Sequence, residues 1–480
     1  MDKEHLFKSY DQLLNTWDEM YNSNAEVRSQ YQIVIDYLKN TSEESLLKKE
    51  DLSKQLFMSQ GVTFTVYNDN EGIEKIFPFD IVPRIITATE WLKIETGIKQ
   101  RIKALNLFIK DIYNDQFIIR DGVVPADLIY SNPGYLRKMR GIKVPYDVYV
   151  QIAGVDLIRN NDGEFYVLED NLRTPSGVSY MLENREISKR LYPGILPKNN
   201  VRSVSNYPNL LYEKLQQLSY VPNPNVVLLT PGIYNSAYYE HTTLARLMGI
   251  ELVEGSDLVV KNHFVYMKTT NGLKKVDVIY RRVDDDFLDP LEFKEESILG
   301  VAGIMSVFRK GNVNIVNAPG TGIADDKAIY IYVPDMIKYY LGEEPILKNI
   351  ETYQLGRPEE LDHVVKNIKT MVIKKTDGSG GHGMLMGHQA TEEEIKDYLT
   401  TVDKNPSAFI AQPILKLSTG PCYINGQLSP RCIDLRPFAL SGSDGIDICP
   451  GGLTRVALKK GSLVVNSSQG GGSKDTWVIQ

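Results

Sequence analysis

The stretch "FYVLEDNLRTPSG", residues 165–177, decides how this chain is read. It opens as an apolar run, places Glu169 and Asn171 two residues apart, and closes on a polar Arg-Thr-Pro-Ser-Gly break. Side chains alternate faces along a strand, so Glu169 and Asn171 share one face while Leu168 and Asp170 take the other. Two oxygen donors on one face at a strand end suit a hard cation. Just upstream, "YDVYVQIAGVDLIRN" predicts a partner strand, joined through Asn160-Asn161-Asp162-Gly163, whose residue types signal a hairpin turn. The hairpin sets Asp156 on the strand beside Glu169 and Asn171. Carboxylates gather unfavourably unless a cation neutralises them, and Mg2+ is satisfied by two or three protein oxygens when water and phosphate complete its shell. Asp162 and Glu164, in the turn itself, read instead as solvated acids.

Working outward, 480 residues exceed what one hydrophobic core holds, so two or three packed units are expected. The composition is that of a globular protein, 42% apolar and 24% charged. A net charge of -7 gives no support to a nucleic-acid partner, which needs a basic field. The three cysteines, Cys422, Cys432 and Cys449, lack CxxC spacing and an even count, which argues against disulfides and zinc. The polar start "MDKEHLFKSY" is no secretory signal, and no run approaches the roughly 18 apolar residues of a membrane span. A cytoplasmic protein with no membrane partner is expected; the sequence leaves oligomeric state open.

Residues 1–58 read as helical, with Leu6, Tyr10, Leu13, Leu14 and Trp17 at helical spacing and Tyr31, Ile35 and Leu38 repeating the pattern. A long helix is predicted over 90–113. From Asn225 strands alternate with helices: "NVVLLT", a helix over 238–248, "IELVE", "KVDVIYRR", a helix over 295–308, and "VNIVN". That alternation indicates a parallel α/β unit. Beyond 318 the chain returns to strands with glycine-rich loops, and the closing "SSQGGGSKDTW" reads as an ordered loop.

"DGSGGHG" matches the dinucleotide fingerprint in letters, through Gly378, Gly380 and Gly383. A dinucleotide loop must open a helix, yet "MLMGH" follows and looks like a strand. A strand-loop-strand flap covering phosphates with backbone N–H groups fits better; a plain glycine-rich surface hairpin is the alternative. Lys374 lies on the entering strand beside Lys375, and only one of the two can face a nucleotide. A lysine ammonium suits phosphate oxygens. Lys327, in "DDKAIYIYVP", would by itself read as a solvated lysine.

Together "VDLIRNNDGEFYVLEDNLRTPSG", "DDKAIYIYVPDMIKYYLGEEPIL", "VIKKTDGSGGHGM", "AQPILKLST" and "IDLRPFALSG" resemble the circularly permuted ATP-grasp proteins, related to the ATP-grasp domain of glutathionylspermidine synthetase. The resemblance covers about 60–480 and rests on five ordered motifs. It implies an α/β (α+β) architecture: a circularly permuted ATP-grasp fold with an inserted Rossmann-like α/β domain and N-terminal helices. The expected division is an N-terminal region at 1–140, the metal hairpin at 141–200, the Rossmann-like unit at 201–317 and the nucleotide clasp at 318–480.

The resemblance also implies ATP and Mg2+ as cofactors. It makes Asp156, Glu169 and Asn171 the metal ligands, and Lys327, Lys374 and the loop Gly378, Ser379, Gly380, Gly381, His382 and Gly383 the ATP contacts. Gln412 falls in the segment similar to the adenine hinge. The synthetase relatives carry an arginine two residues before the metal aspartate, where this chain has Gly154. Either Arg159, Arg173 or Arg282 takes over that anionic contact or the acyl substrate differs, and Arg173 and Arg282 are the candidates for binding the acyl carboxylate. The implied activity joins a small-molecule or peptide carboxylate to an amine acceptor through an acyl phosphate. A phosphotransferase and a non-catalytic nucleotide-binding module are the alternatives.

Overall fold

The computed structural model describes residues 6, 7, 10–13, 15–68, 71–378, 383–462, 465 and 471–480. The predicted hairpin is present: Ile152–Arg159 and Phe165–Asn171 run antiparallel, with Asp156 opposite Glu169 and Gly154 opposite Asn171. Gly163 closes the turn at φ +82, and a Cβ there would lie 2.5 Å from the Trp17 ring. Glycine thus meets both a backbone and a packing demand at one position. The hairpin is the middle of a five-stranded sheet completed by Lys348–Asn349 on one side and Phe438–Gly442 and Gly445–Ile448 on the other.

A second, antiparallel sheet orders Tyr353–Gln354, Phe409–Pro413, Met371–Lys375 and Leu385–Met386. The strands expected on either side of the glycine loop are present, with Val372 paired to Met386. The following helix, Glu392–Lys404, starts only after a capping box on Thr391 and Glu394, so the loop does not open a helix.

The parallel unit is also present. Its sheet orders Asn314–Val316, Val278–Arg281, Val226–Leu229 and Glu251–Val253, all neighbours parallel, and the helix Tyr238–Met248 falls where it was predicted. "KVDVIYRR" is not one strand: Gly272–Val276 belongs to a separate antiparallel meander, and Val278–Arg281 enters the parallel sheet. The helix predicted over 295–308 shrinks to Ile304–Arg309. The Asp289 carboxylate accepts from the backbone of Leu291, Gly303 and Met305 and fixes the preceding residues as a loop.

The helix Ala88–Tyr113 holds the core, burying Trp91, Ile94, Ile98, Leu105 and Ile109. The helix predicted on Leu6 to Trp17 is absent among the described residues; helices begin at Gln32–Asn40 and Glu43–Ser59. Here tertiary pairing overrides helical spacing. Glu19 donates its N–H to Thr419 O, Thr419 N–H returns to Trp17 O, and the Asp18 carboxylate caps the amides of Met20 and Tyr21. The chain end is likewise no loop from Gly472 onward. Gly472–Ile479 is a buried strand running parallel to Phe79–Thr87, so the first 140 residues share a sheet with the last nine. Cys422, Cys432 and Cys449 are buried and free. Among the described residues no helix is long and apolar enough to cross a membrane.

Candidate nucleotide and metal site

Strand alternation sorts the acids of the decisive stretch. Asp170 points to the interior, where Arg101 of the long helix grips it with Nε at 2.7 Å and Nη2 at 2.6 Å, both side chains almost wholly buried. Glu169 points the other way, with its side chain 32% exposed. Its carboxylate lies 3.8 Å from Lys327 Nζ and 3.9 Å from Arg436 Nη2. Asn171 is on the same face, and its buried Nδ2 has no hydrogen-bond partner.

Lys327 follows Asp326, whose carboxylate caps the amides of Ala328 and Ile329. Its ammonium donates to the carbonyl of Gly378, and its own N–H bonds Thr376 O at 3.1 Å, so this residue touches both the hairpin acid and the glycine loop. Lys374 faces inward and Lys375 outward. Lys374 Nζ donates to Gln412 Oε1 at 2.8 Å, and Gln412 Nε2 donates to Thr352 Oγ1 at 2.9 Å. Burial lowers the Lys374 ammonium to about 8, with Glu169 opposing and Lys327 reinforcing the shift. A desolvated ammonium short of anions is what a phosphate would relieve. Of the loop, Gly378 and Gly383 are described, Gly383 at φ +70 with its carbonyl accepting from Tyr398 OH; Ser379, Gly380, Gly381 and His382 lie outside the described residues.

Asp156 lies opposite Glu169 in the hairpin register and is engaged by arginines. It is wholly buried, and both oxygens are taken by guanidinium groups: Arg436 Nε on Oδ1, Arg436 Nη2 on Oδ2 at 2.8 Å, and Arg455 Nη2 on Oδ2 at 2.6 Å. Burial would raise this carboxyl, but Arg436 and Arg455 outweigh it and hold it well below the usual carboxylate range. Arg455 is anchored in turn by Asp434. Among the described residues no three His, Cys, Asp or Glu side chains form a metal-binding group. Among these side chains the half-buried carboxylate of Glu169 and the side-chain carbonyl of Asn171 are oxygen donors of the kind a hard cation takes. Mg2+ commonly takes one or two carboxylates and completes its shell with substrate phosphates and water.

None of the three candidate arginines is among the atoms nearest a Cβ at Gly154. Arg159 is buried against Glu19 and Glu90. Arg282 is buried too: Nη1 donates to Pro175 O and Tyr280 OH, and Nη2 to Ser176 Oγ and to Glu240. Its neighbour Arg281 pairs with Asp285. Arg173 stands at the cleft wall, 38% exposed, with Nε 3.5 Å from Asp284 and 3.6 Å from Asp325. Burial works against the Arg173 charge, but Asp284 and Asp325 outweigh it. Asp325 itself is raised to about 7 by burial, against the pull of Arg173. The residue that fills the space over Gly154 is Arg436, whose Cδ would lie 3.2 Å from a Cβ there. Arg436, Arg455 and Asp434 were missed from sequence. The alternation Asp434-Leu435-Arg436 placed a charged pair on one strand face, but no local pattern said which hairpin residue it would meet.

The circularly permuted ATP-grasp type 2 family model matches residues 83–457. The chain belongs to that family. It is 50% identical over 468 residues to an uncharacterized protein of Synechocystis sp. (strain ATCC 27184 / PCC 6803 / Kazusa), covering 97% of each chain. It is 38% identical over 467 residues to a putative glutamate–cysteine ligase of Frankia alni, covering 96% of this chain and 54% of that one. The fold is similar to that of a glutathione synthetase-like effector from Globodera pallida, with TM-score 0.59, 11% identity and coverage of 92% of this chain and 98% of the other. The circularly permuted ATP-grasp architecture expected from the motifs is thus the one the chain has.

Proposed function

We propose that this ATP-grasp protein is an ATP- and Mg2+-dependent carboxylate–amine ligase working through an acyl phosphate. The observation that carries the reading is the convergence of Glu169, Lys327 and Lys374 between the hairpin sheet and the glycine-loop sheet. Two cations and an open carboxylate from separate elements make a seat for a metal-bound polyphosphate. The name carried by the Frankia relative supports amino acids or short peptides as the substrate class.

In this reading Lys374 and Lys327 hold phosphate oxygens, and Gln412 stands at the edge of the base pocket. Glu169 and Asn171 hold Mg2+, which when bound would neutralise the meeting anions and align them. Arg173, at the cleft wall with hydrogen-bond donors still free, takes the acyl carboxylate. One carboxylate oxygen attacks the terminal phosphorus and ADP leaves. The amine then attacks the acyl carbon and inorganic phosphate leaves with that oxygen.

The test is a screen of amino acids and short peptides scored by ADP release, followed by a hit carrying 18O in its carboxylate. One labelled oxygen should appear in inorganic phosphate, and only when the amine is present. ADP release with a phosphorylated acceptor and no amide would instead identify a phosphotransferase.

A further inference from the structure

Arg173, the side chain that the ligase reading gives to the acyl carboxylate, has a carboxylate on either side. Asp284 Oδ1 lies 3.5 Å and Asp325 Oδ2 3.6 Å from its Nε, and that buried Nε makes no hydrogen bond with either. The two acids come from different units. Asp284 lies in the loop leaving the carboxyl end of the parallel strand Val278–Arg281, and its carboxylate caps no amide of the short helix Asp285–Leu288 that follows. Asp325 ends the turn Thr321–Asp325; its Oδ1 accepts the N–H of Leu172, just past the hairpin, and its Oδ2 is the oxygen that faces Arg173. The neighbouring charges are engaged elsewhere. Asp285 pairs with Arg281 and accepts the Gly320 N–H, Asp286 pairs with Lys294, Asp326 caps Ala328 and Ile329, and Asp170 is held by Arg101. The Lys327 ammonium is shared between Gly378 O and Glu169. Two carboxylates are therefore left to one guanidinium, with 51% of the Asp284 side chain and 24% of the Asp325 side chain exposed. The segments that meet here, 171–173 and 321–325, also carry three buried polar atoms without a hydrogen-bond partner. These are Asn171 Nδ2, Arg173 Nε and Thr321 Oγ1, the last in a wholly buried side chain. Folded proteins satisfy nearly all such atoms, so three in one place mark room for a polar ligand.

An acyl group held by Arg173 presents its carbon to whatever the flanking side chains admit, and both flanking side chains are anionic. We infer that Asp284 and Asp325 seat the acceptor as an ammonium ion beside the acyl group, and that Asp325 is a catalytic residue that takes a proton from it. This inference rests on the ligase reading above. The ammonium nitrogen gives one proton to Asp325 Oδ2 and regains its lone pair, which attacks the acyl carbon. The bond from that carbon to the phosphate oxygen breaks, a second nitrogen proton leaves with the phosphate, and the third stays on the amide. Burial raises the Asp325 carboxyl to about 7, against the pull of Arg173, the Leu172 amide and Lys327 and with Asp170 adding to the rise. A carboxyl in that range can take up and release a proton at neutral pH. Asp284, half in solvent, supplies charge for binding.

The probes are hydroxylamine and ammonium, nucleophiles of similar size of which only the second is a cation at neutral pH. The wild type is given MgATP and each of the common amino acids in turn as the carboxylate, with hydroxamate read by its ferric colour and amide by mass spectrometry. It should trap hydroxamate from at least one amino acid and make the amide of that same amino acid from ammonium. Asp325→Asn keeps an acceptor for the Leu172 N–H. It should trap hydroxamate within about twofold of the wild type but lose amide formation by on the order of 100-fold, the scale of a lost general base. That deficit should shrink as pH rises and the ammonium sheds its own proton, which a merely structural loss would not do. Asp284→Asn should raise the KM for ammonium about tenfold with kcat within about twofold, the scale of one lost charge-assisted contact. The inference is overturned if Asp325→Asn loses hydroxamate and amide together or keeps both, or if its deficit is the same at every pH. It is also overturned if the wild type makes hydroxamate but no amide from ammonium. Should Asp325→Asn fail to fold, Asp284→Asn decides, and an unchanged KM for ammonium overturns the seat. A folded wild type that traps no hydroxamate from any amino acid would overturn the ligase reading, and this inference with it.

Discussion

Replacing Arg282 by methionine should destabilise the protein by about 3–5 kcal/mol, because it strands a charge. Glu240 is wholly buried. Its Oε2 accepts from the amides of Gly177 and Ser179 and from the Ser179 hydroxyl, and its Oε1 lies 3.2 Å from Arg282 Nη2. Arg282 also bonds Pro175 O at 2.7 Å and Ser176 Oγ, so the pair clamps residues 175–179 against the parallel sheet. Removing only the arginine leaves a buried carboxylate with neutral partners and costs far more than breaking an exposed ion pair would. The double variant Arg282→Met with Glu240→Gln removes both charges, and most of the loss should return, a coupling of about 1–3 kcal/mol in a double-mutant cycle. Urea unfolding of the four proteins, followed by circular dichroism, measures this. An Arg282→Met loss below about 1 kcal/mol, or a double variant no better than the single, would refute the clamp.

Lys374 predicts a pH dependence: its ammonium sits at about 8 in the free protein, and phosphate needs the protonated form. MgATP affinity should be flat below pH 7 and fall up to tenfold per unit as pH rises past 8, by calorimetry; Lys374→Arg should flatten the profile, and a wild type indifferent to pH would contradict the assignment. Adjacent residues of one strand should separate cleanly. Asp170→Asn should cost about 3–5 kcal/mol by stranding buried Arg101 yet leave Mn2+ uptake intact, whereas Glu169→Gln should barely move the unfolding midpoint. The reverse pattern would mean the strand faces are exchanged. Gly163→Ala should lose about 1–3 kcal/mol, from positive φ and contact with Trp17 together, and a melting temperature unchanged from wild type would show that the turn has other conformations open to it.

The hairpin was legible because its signals are local. Period-two alternation, an Asn-Asn-Asp-Gly turn and two acids of opposite fate follow from backbone geometry within twenty residues. The same holds for the long helix at Ala88–Tyr113 and for the strands around the glycine loop, whose lack of a following helix spoke against a dinucleotide loop. What escaped was set by partners far away in the chain. Residues near Trp17 carry helical spacing, but Thr419, 400 positions on, takes them as a strand partner. The strand Gly472–Ile479 begins in glycine and serine and owes its form to Phe79–Thr87. No propensity encodes such pairings, because the energy comes from contacts that form only once the fold has closed.

The arginines show the same division at the level of function. Arg282 was a reasonable candidate on strand position, since carboxyl ends of a parallel sheet face a ligand crevice. That edge does face the hairpin: the Asn317 side chain, just past Asn314–Val316, accepts from the amides of Gln151 and Ile152 and donates to the carbonyls of Ile152 and Leu172. The crevice there is closed by protein, however, and the charge that reaches it is consumed in holding the 175–179 loop. A buried arginine with all its terminal nitrogens engaged positions backbone; one with donors to spare and an open edge is available to a substrate. Sequence gives both the same letter. Only the count of satisfied donors separates Arg282, which holds the 175–179 loop, from Arg436, which keeps one donor on each terminal nitrogen.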